Sequence, residues 1–344
     1  MLINLKRRIL ILAVASAAAL TASAEGGGSS AYDFLTIPTS SHAFALGGSA
    51  PAIIDDDVTL VDQNPALLGP EIDMQGAFNY MYYMQSGNFA GVRFGMAQGE
   101  RGAWAVGMRY LNYGEITRYT EDGYSDGSTF SPQDVVFEGT YSHDFTDRLR
   151  GGINVKMVYS NYDARSAFAM AADLGINYYD PDKDLSLSAV LKNAGGQLKR
   201  FYNHYDRLPI DLEFGYMQGI GVSPFSVAVT LTNLTRWKLP YYRHSSGDSS
   251  EAPELKSSFF TNLMRHIILG VQVAPNDKFY AALAYNYKTR TDMGTFSRNF
   301  LSGFSLGLGV RVKSFGVSLA YAMPHNAGST LLLNLNCSIS ELLK

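Results

Sequence analysis

Phe304-Ser305-Leu306-Gly307-Leu308-Gly309-Val310-Arg311-Val312 decides the fold. The bulky apolar residues fall on one parity, and Ser305, Gly307, Gly309 and Arg311 fall on the other. Just beyond, Phe315, Val317, Leu319 and Tyr321 oppose Gly316, Ser318, Ala320 and Ala322. Strict period-two alternation marks β-strands, because successive side chains leave a strand on opposite faces. The content of the faces tells which kind of sheet this is. A soluble sandwich would turn Lys, Glu and Thr outward, whereas here the greasy face is opposed by Gly, Ala, Ser, Asn and an occasional charge. An apolar outer face over a small, polar inner face is the pattern of an outer-membrane β-barrel.

Working outward, about fourteen such segments fill residues 73–344, among them 224–234, 259–273, 278–288, 300–312 and 330–340. Connections after every second segment are short, as at Gly99–Gly102 and Lys313–Ser314; the others include the long ones, Gly114–Gln133, Ala194–Leu208, Thr235–Ser258 and Thr289–Asn299. Short periplasmic turns alternating with longer external loops fit an all-β, antiparallel transmembrane barrel, closed so that no edge faces lipid. Composition agrees: charged residues are only 17%, aromatics 12%, and Gly numbers 33. After the first residues, no apolar run approaches the ~18–20 residues of a spanning helix. The lone cysteine, Cys337, excludes an internal disulfide framework and sits on the apolar, lipid-facing parity. With 28 basic against 31 acidic residues, the chain is a poor nucleic-acid binder.

The N-terminus has its own organisation. Lys6, Arg7 and Arg8, the apolar Ile9–Leu20 and the small-residue site Ala22-Ser23-Ala24 read as a signal peptide spanning 1–24. Residues 25–72 do not alternate. Gly26–Ser30 is a flexible leader, and Phe34–Ile72 mixes breakers such as Pro38, Gly47, Gly48, Pro51, Pro65 and Pro70 with apolar runs, too apolar for a solvated tail. It is expected to form a plug in or under the barrel. An even strand count then places the N- and C-termini together in the periplasm.

The inward parity carries Arg93, Arg109, Glu138, Lys156, Asp173, Lys192, Asp211, Glu213, Lys288 and Arg311, a mixed-sign set suited to pairing rather than to steering ions. The plug offers Asp55, Asp56, Asp57, Asp62 and Asn64, expected to pair with lumen cations such as Arg93, Arg109 and Arg311. Their spacing misses the calcium-loop pattern, so no metal is expected. Of the six histidines (His42, His143, His204, His244, His266 and His325), none sits in a catalytic motif, and neither catalysis nor a cofactor is expected. Gly307 and Gly309 should face the lumen and accept Ser. Tyr80, Tyr82, Tyr83, Tyr110, Tyr113, Tyr178 and Tyr179 cluster at strand ends as aromatic girdles. The longest external loop holds Arg236-Trp237-Lys238-Leu239-Pro240-Tyr241-Tyr242-Arg243-His244. Trp237, Tyr241 and Tyr242 are its candidates for docking a partner, since Trp, Tyr and Arg dominate interface hot spots. The alternative places Trp237 and the tyrosines in the outer girdle, with the cations touching lipopolysaccharide phosphates.

Two stretches in the plug are also recognisable. Phe34-Leu35-Thr36-Ile37-Pro38-Thr39-Ser40-Ser41 with Ala45-Leu46-Gly47-Gly48, and Ile54-Asp55-Asp56-Asp57-Val58-Thr59-Leu60-Val61-Asp62-Gln63-Asn64-Pro65-Ala66-Leu67-Leu68-Gly69, resemble the opening blocks of type IX secretion outer-membrane proteins. The Asn-Pro-Ala core recurs in the wider family of long-chain fatty-acid transporters. His42 departs from the pattern, where many relatives have Arg. The resemblance implies a fourteen-stranded plugged barrel in the outer membrane, belonging to a cell-surface attachment complex. Its implied partners are a PorZ-like surface protein, a PorU-like sortase, a PorV-like shuttle barrel and lipopolysaccharide. The rival reading is a transporter of hydrophobic small molecules, disfavoured by the small polar inward face.

Overall fold

The computed structural model describes residues 30–83, 87–119, 122–202, 205–243, 254–256, 258–292, 301–325 and 328–343. The signal peptide, nearly all of the leader, and His204 and His244 lie outside them.

Among the described residues eighteen strands follow one another: β1 (Gln75–Tyr83), β2 (Gly87–Gln98), β3 (Gly102–Asn112), β4 (Ile116–Tyr119), β5 (Ser125–Phe130), β6 (Gln133–Thr146), β7 (Leu149–Tyr162), β8 (Arg165–Asp180) and β9 (Leu185–Lys199), then β10 (Asp211–Gly219), β11 (Phe225–Leu231), β12 (Tyr241–Arg243), β13 (Glu254–Lys256), β14 (Ile267–Asn276), β15 (Phe279–Asn286), β16 (Phe304–Val312), β17 (Phe315–His325) and β18 (Gly328–Ser338). Fourteen of them close an antiparallel barrel, with β1 paired to β18 from Gln75↔Ser338 to Tyr82↔Leu331. The other four make two hairpins, β4–β5 and β12–β13, in the long connections. The alternation read in 304–312 decides the faces: Leu306, Leu308 and Val310 are exposed on the outside, while Ser305, Gly307 and Gly309 are buried in the lumen.

Three predicted strand segments are corrected, two at the mouth and one at the opposite end. Residues 259–265 form a helix, α2, not the start of a strand; the first helix, α1, is Ser41–Ala45 in the plug. Ser258 caps α2 by accepting from the Thr261 N–H, satisfying one of the free donors of its first turn. The apolar residues Phe259, Phe260, Leu263 and Met264 follow helical spacing, with Asn262 and Arg265 buried opposite them. Tyr287–Asp292 turns into α3, which places Lys288 beside Asp292 at 2.9 Å on that helix rather than on a lumen-facing strand. The last strand ends at Ser338, and Ile339–Leu342 coils into α4.

The rim is uneven. Lys192 of β9 pairs with Asp211, the first residue of β10, so residues 193–199 overshoot β10 and pair only with β8. Seven residues at ~3.3 Å each lift this side roughly 20 Å along the strand. On the low side β11 stops at Leu231, opposite Ile267, and α2, α3 and the β12–β13 hairpin stand above it.

The small inner face is explained by close packing. On Gly309 a Cβ would lie 2.2 Å from the Tyr280 ring, and on Gly307 it would lie 2.7 Å from the Ala45 Cβ of the plug and 2.8 Å from the Leu319 carbonyl. The expected acceptance of Ser there is therefore corrected. Tyr280 in turn stacks on His42 of α1, with centroids 3.6 Å apart and planes 13° off parallel. Gly309→Val is expected to push this stack apart and cost about 1–3 kcal/mol, as overpacking does; a urea midpoint equal to wild type would show that Tyr280 yields freely.

Candidate functional site

The segment from Ser30 to Ile72 threads the lumen from one end to the other. At the long-loop mouth, Ser30 Oγ bonds the Arg207 carbonyl, and Gln197 Nε2 donates to Tyr32 Oη at 2.9 Å. The chain descends to Thr39 and Ser41, where Asn334 takes the Ser41 N–H and gives its amide to the Thr39 carbonyl, each at 3.0 Å. Helix α1, capped by Ser40, then climbs back until Ser305 and Asn286 donate to the carbonyls of Ala45 and Gly47 at 2.9 and 3.2 Å. From there the chain falls again to the short-turn end. Gln75 accepts from the Val58 N–H at 2.6 Å there, and Arg150 grips Glu71 at 2.7 Å. The segment thus makes three passes through the lumen. Ser30 and α4 lie at opposite ends, because Ile339 N–H bonds the Met74 carbonyl at the turn end. The start of β1 and the end of β18 lie together at the turn end, Gln75 opposite Ser338.

The Asn-Pro-Ala core shows why that motif suits a plug. Asn64 Oδ1 accepts from the Ala66 N–H at 2.9 Å, and its Nδ2 donates to the carbonyls of Pro51 and of Ile176 on β8, each at 3.2 Å. One side chain thus caps a short 3-10 turn, ties two plug passes together and fastens both to the wall. Gly175 lies beneath Asn64 and Gly152 beneath Pro65, where any Cβ would collide.

Charges are neutralised in local groups. Asp55 accepts from Arg311 at 3.2 Å and contacts His42 Nδ1 at 2.8 Å, while His42 Nε2 reaches Gln272 Oε1 at 2.7 Å. Burial alone would raise the Asp55 pKa, but the hydrogen bond and charge of His42, then Arg311, outweigh it and hold the carboxyl below the usual range. Asp57, buried beside the Asp55 charge, is pushed up instead, against its bonds to Thr59. Glu213 takes Lys192 at 2.9 Å and the plug hydroxyl of Ser49 at 2.6 Å. Lys156 meets Asp173 at 2.7 Å and Asn193 at 2.8 Å, all deeply buried.

The sequence-derived set divides accordingly. Asp55 and Arg311 are brought together across plug and wall. Asp57 caps its own turn through the Thr59 N–H at 2.8 Å, and Asp62 accepts from the Thr39 N–H at 2.8 Å within the plug. Asp56 is exposed. Arg93 and Arg109 do not reach a plug carboxylate: both bond Glu138, one strand across from β3. The reason is Gly107, which stands opposite both Arg93 and Glu138 and leaves Arg93 room to cross β3. His42, Ser49, Glu71 and Arg150 were not anticipated as fasteners. Tyr113 turns inward to donate to Asp134 at 2.7 Å, so it is not a girdle residue, whereas Tyr80 and Tyr82 are exposed.

At the mouth, Trp237 is 47% exposed and stacks on His266, 5.0 Å and 13° apart. Tyr241 is only 9% exposed, lying under the Arg265 guanidinium at 5.0 Å. It is therefore corrected from a docking residue to a packing one. The backbone of Tyr242 pairs with Leu255, and its side chain lies outside the described residues.

Asp55→Ala is expected to lower the urea midpoint by the equivalent of about 1.5–3 kcal/mol, the worth of bonds to charged groups, while Asp56→Ala leaves it unchanged. Equal midpoints for the two would mean that the plug is not fastened through Asp55.

A gap lined by Phe34, Phe89, Arg109, Leu111, Asp134 and Val136 is too narrow for a water molecule. No three His, Cys, Asp or Glu side chains among the described residues converge as a metal site.

In sequence, neither a protein-family model nor a curated protein matches the chain. In fold, it is similar to the toluene transporter TodX of Pseudomonas putida, with TM-score 0.52 and 12% identity over 86% of this chain and 95% of that one. It is likewise similar to the CymD monoaromatic hydrocarbon channel, with TM-score 0.51 and 12% identity over 89% and 98%. Likeness at this identity establishes the fold, a fourteen-stranded outer-membrane barrel.

Proposed function

We propose that this chain is a sealed, non-catalytic barrel of the type IX secretion attachment complex, anchoring a PorZ-like surface protein beside a PorU-like sortase and a PorV-like shuttle. The two plug motifs resemble those of PorQ. The observation that carries the reading is the plug: its segment crosses the lumen three times and is bonded to the wall near both ends. A barrel that passes nothing still supplies a fixed external rim. The side of that rim standing furthest from the membrane, β8 and β9, presents Tyr202, 62% exposed, under the Arg165 guanidinium at 3.7 Å. Exposed aromatic and Arg groups of this kind form interface hot spots.

A second reading, transport of hydrophobic small molecules, is favoured by the fold likeness to TodX and CymD. It would require the plug to move, with the gap around Phe34, Phe89 and Leu111 opening into an apolar site.

Gentle detergent extraction of the tagged full chain separates the two. Recovery of a large surface complex supports the anchor. Recovery of the barrel alone, carrying an apolar small molecule, supports the transporter and overturns the anchor.

A further inference from the structure

Helix α2 and the loop before β14 form an apolar face that the barrel itself does not cover. Phe259 is 73% and Phe260 70% exposed, and Trp237 lies 6.1 Å from the Phe259 ring. Large rings clustered in this way mark a contact surface. The opposite side of α2 is held to its neighbours. Arg265 bonds Thr291 and, at 2.6 Å, Asp292 on α3, while Asn262 donates to the Trp237 carbonyl and accepts from the Leu239 N–H at 2.7 Å. His266 fixes the same stretch from below, through the carbonyls of Thr232 at 2.8 Å and Trp237 at 3.0 Å. The aromatic face is thus held outward by a built platform.

What covers it follows from its position. It stands above the low side of the wall, over β11 and β14. The exposed outer residues of β14, Val271 and Leu269, run up the strand toward Ile267 and then into the outward residues of α2. The face is a continuation of the lipid-facing band, lifted onto a helix where the strands stop short. Lys238, exposed beside Trp237, adds a cation at the same level.

We propose that α2 and Trp237 form a lipid contact in the outer leaflet, occupied by lipid rather than by a protein. The helix lies in the interface plane with Phe259 and Phe260 in the acyl boundary. Trp237 sits at headgroup level, and Lys238 meets lipid phosphate. The inference rests on the fold and is independent of the anchor reading.

The chain has two tryptophans, so Trp104→Phe leaves Trp237 as the sole reporter. In phosphatidylcholine vesicles whose acyl chains carry bromine near the headgroup end, Trp237 is expected to lose most of its emission, with less loss when bromine sits at the chain terminus. Aqueous iodide is expected to leave it unchanged. Quenching by iodide and not by brominated lipid would overturn the proposal and make the face a water-exposed docking surface. If Trp104→Phe does not fold, the difference between wild type and Trp237→Phe isolates the Trp237 emission: a water-facing Trp237 makes that difference iodide-sensitive, and a lipid-facing one does not.

Discussion

Glu138→Ala is expected to be the most damaging single change in the lumen. Its carboxylate is shared by Arg93 and Arg109, all three nearly inaccessible to solvent. Truncation leaves two buried guanidinium groups facing each other without a counter-ion. Breaking a buried pair in this way costs ~3–5 kcal/mol, far more than the intact pair contributes, because the uncompensated charge is what is expensive. The measurement is the urea midpoint of the folded band, which migrates differently from the heated one on a gel. Glu138→Ala should unfold at clearly lower urea than wild type, and adding Arg93→Met and Arg109→Met to it should restore much of the loss. A midpoint at the wild-type value would mean that the guanidinium groups find water, and that the lumen is wetter than its packing implies.

The outer face should be as intolerant for the opposite reason. Leu308 lies mid-strand on β16, between Leu283-side and Leu319-side neighbours of the same apolar band, with Ala281 and Leu319 directly opposite it. Leu308→Arg puts a cation into hydrocarbon and is expected to cost roughly 2–4 kcal/mol, the depth-dependent penalty near a bilayer midplane. Ser305→Ala, on the inner face, loses one bond to the plug and should cost about 1 kcal/mol. The comparison is made by folding both variants into vesicles alongside wild type; equal yields would place Leu308 away from lipid.

The strands were legible in the sequence because their information is local. Phe304–Val312 contains its own evidence for which face is greasy, and the alternation needs no knowledge of neighbouring strands. Parity, however, gives direction without lateral order. It showed that Arg93, Arg109 and Glu138 all point inward, but not that β2, β3 and β6 lie side by side, or that Gly107 opens the space between them. The plug was legible as a segment that fails to alternate, and its carboxylates as a group suited to lumen arginines, but not which of them meets which. Its three-pass path was not, since bonds such as Ser41 to Asn334 and Asn64 to Ile176 join residues far apart in the chain. Helix α2 was misread because its two Phe, then Leu263 and Met264, run directly into the true strand pattern of Ile267–Val273. The apolar run is continuous while its period changes. Tyr241 misled for a similar reason: residue type suggested a hot spot, and only the position of Arg265 over its ring shows that it is packed.

The most direct measurement is solute flux through the purified full-length barrel reconstituted in lipid vesicles, with the medium monitored for a small aromatic hydrocarbon and, in parallel, for ion conductance across a planar bilayer. A lumen filled by the segment Ser30–Ile72 gives no flux above protein-free vesicles and no conductance steps, and both rise when Asp55→Ala and Glu71→Ala together release the plug. Saturable hydrocarbon flux or steady channel events from the unaltered protein would contradict a sealed lumen.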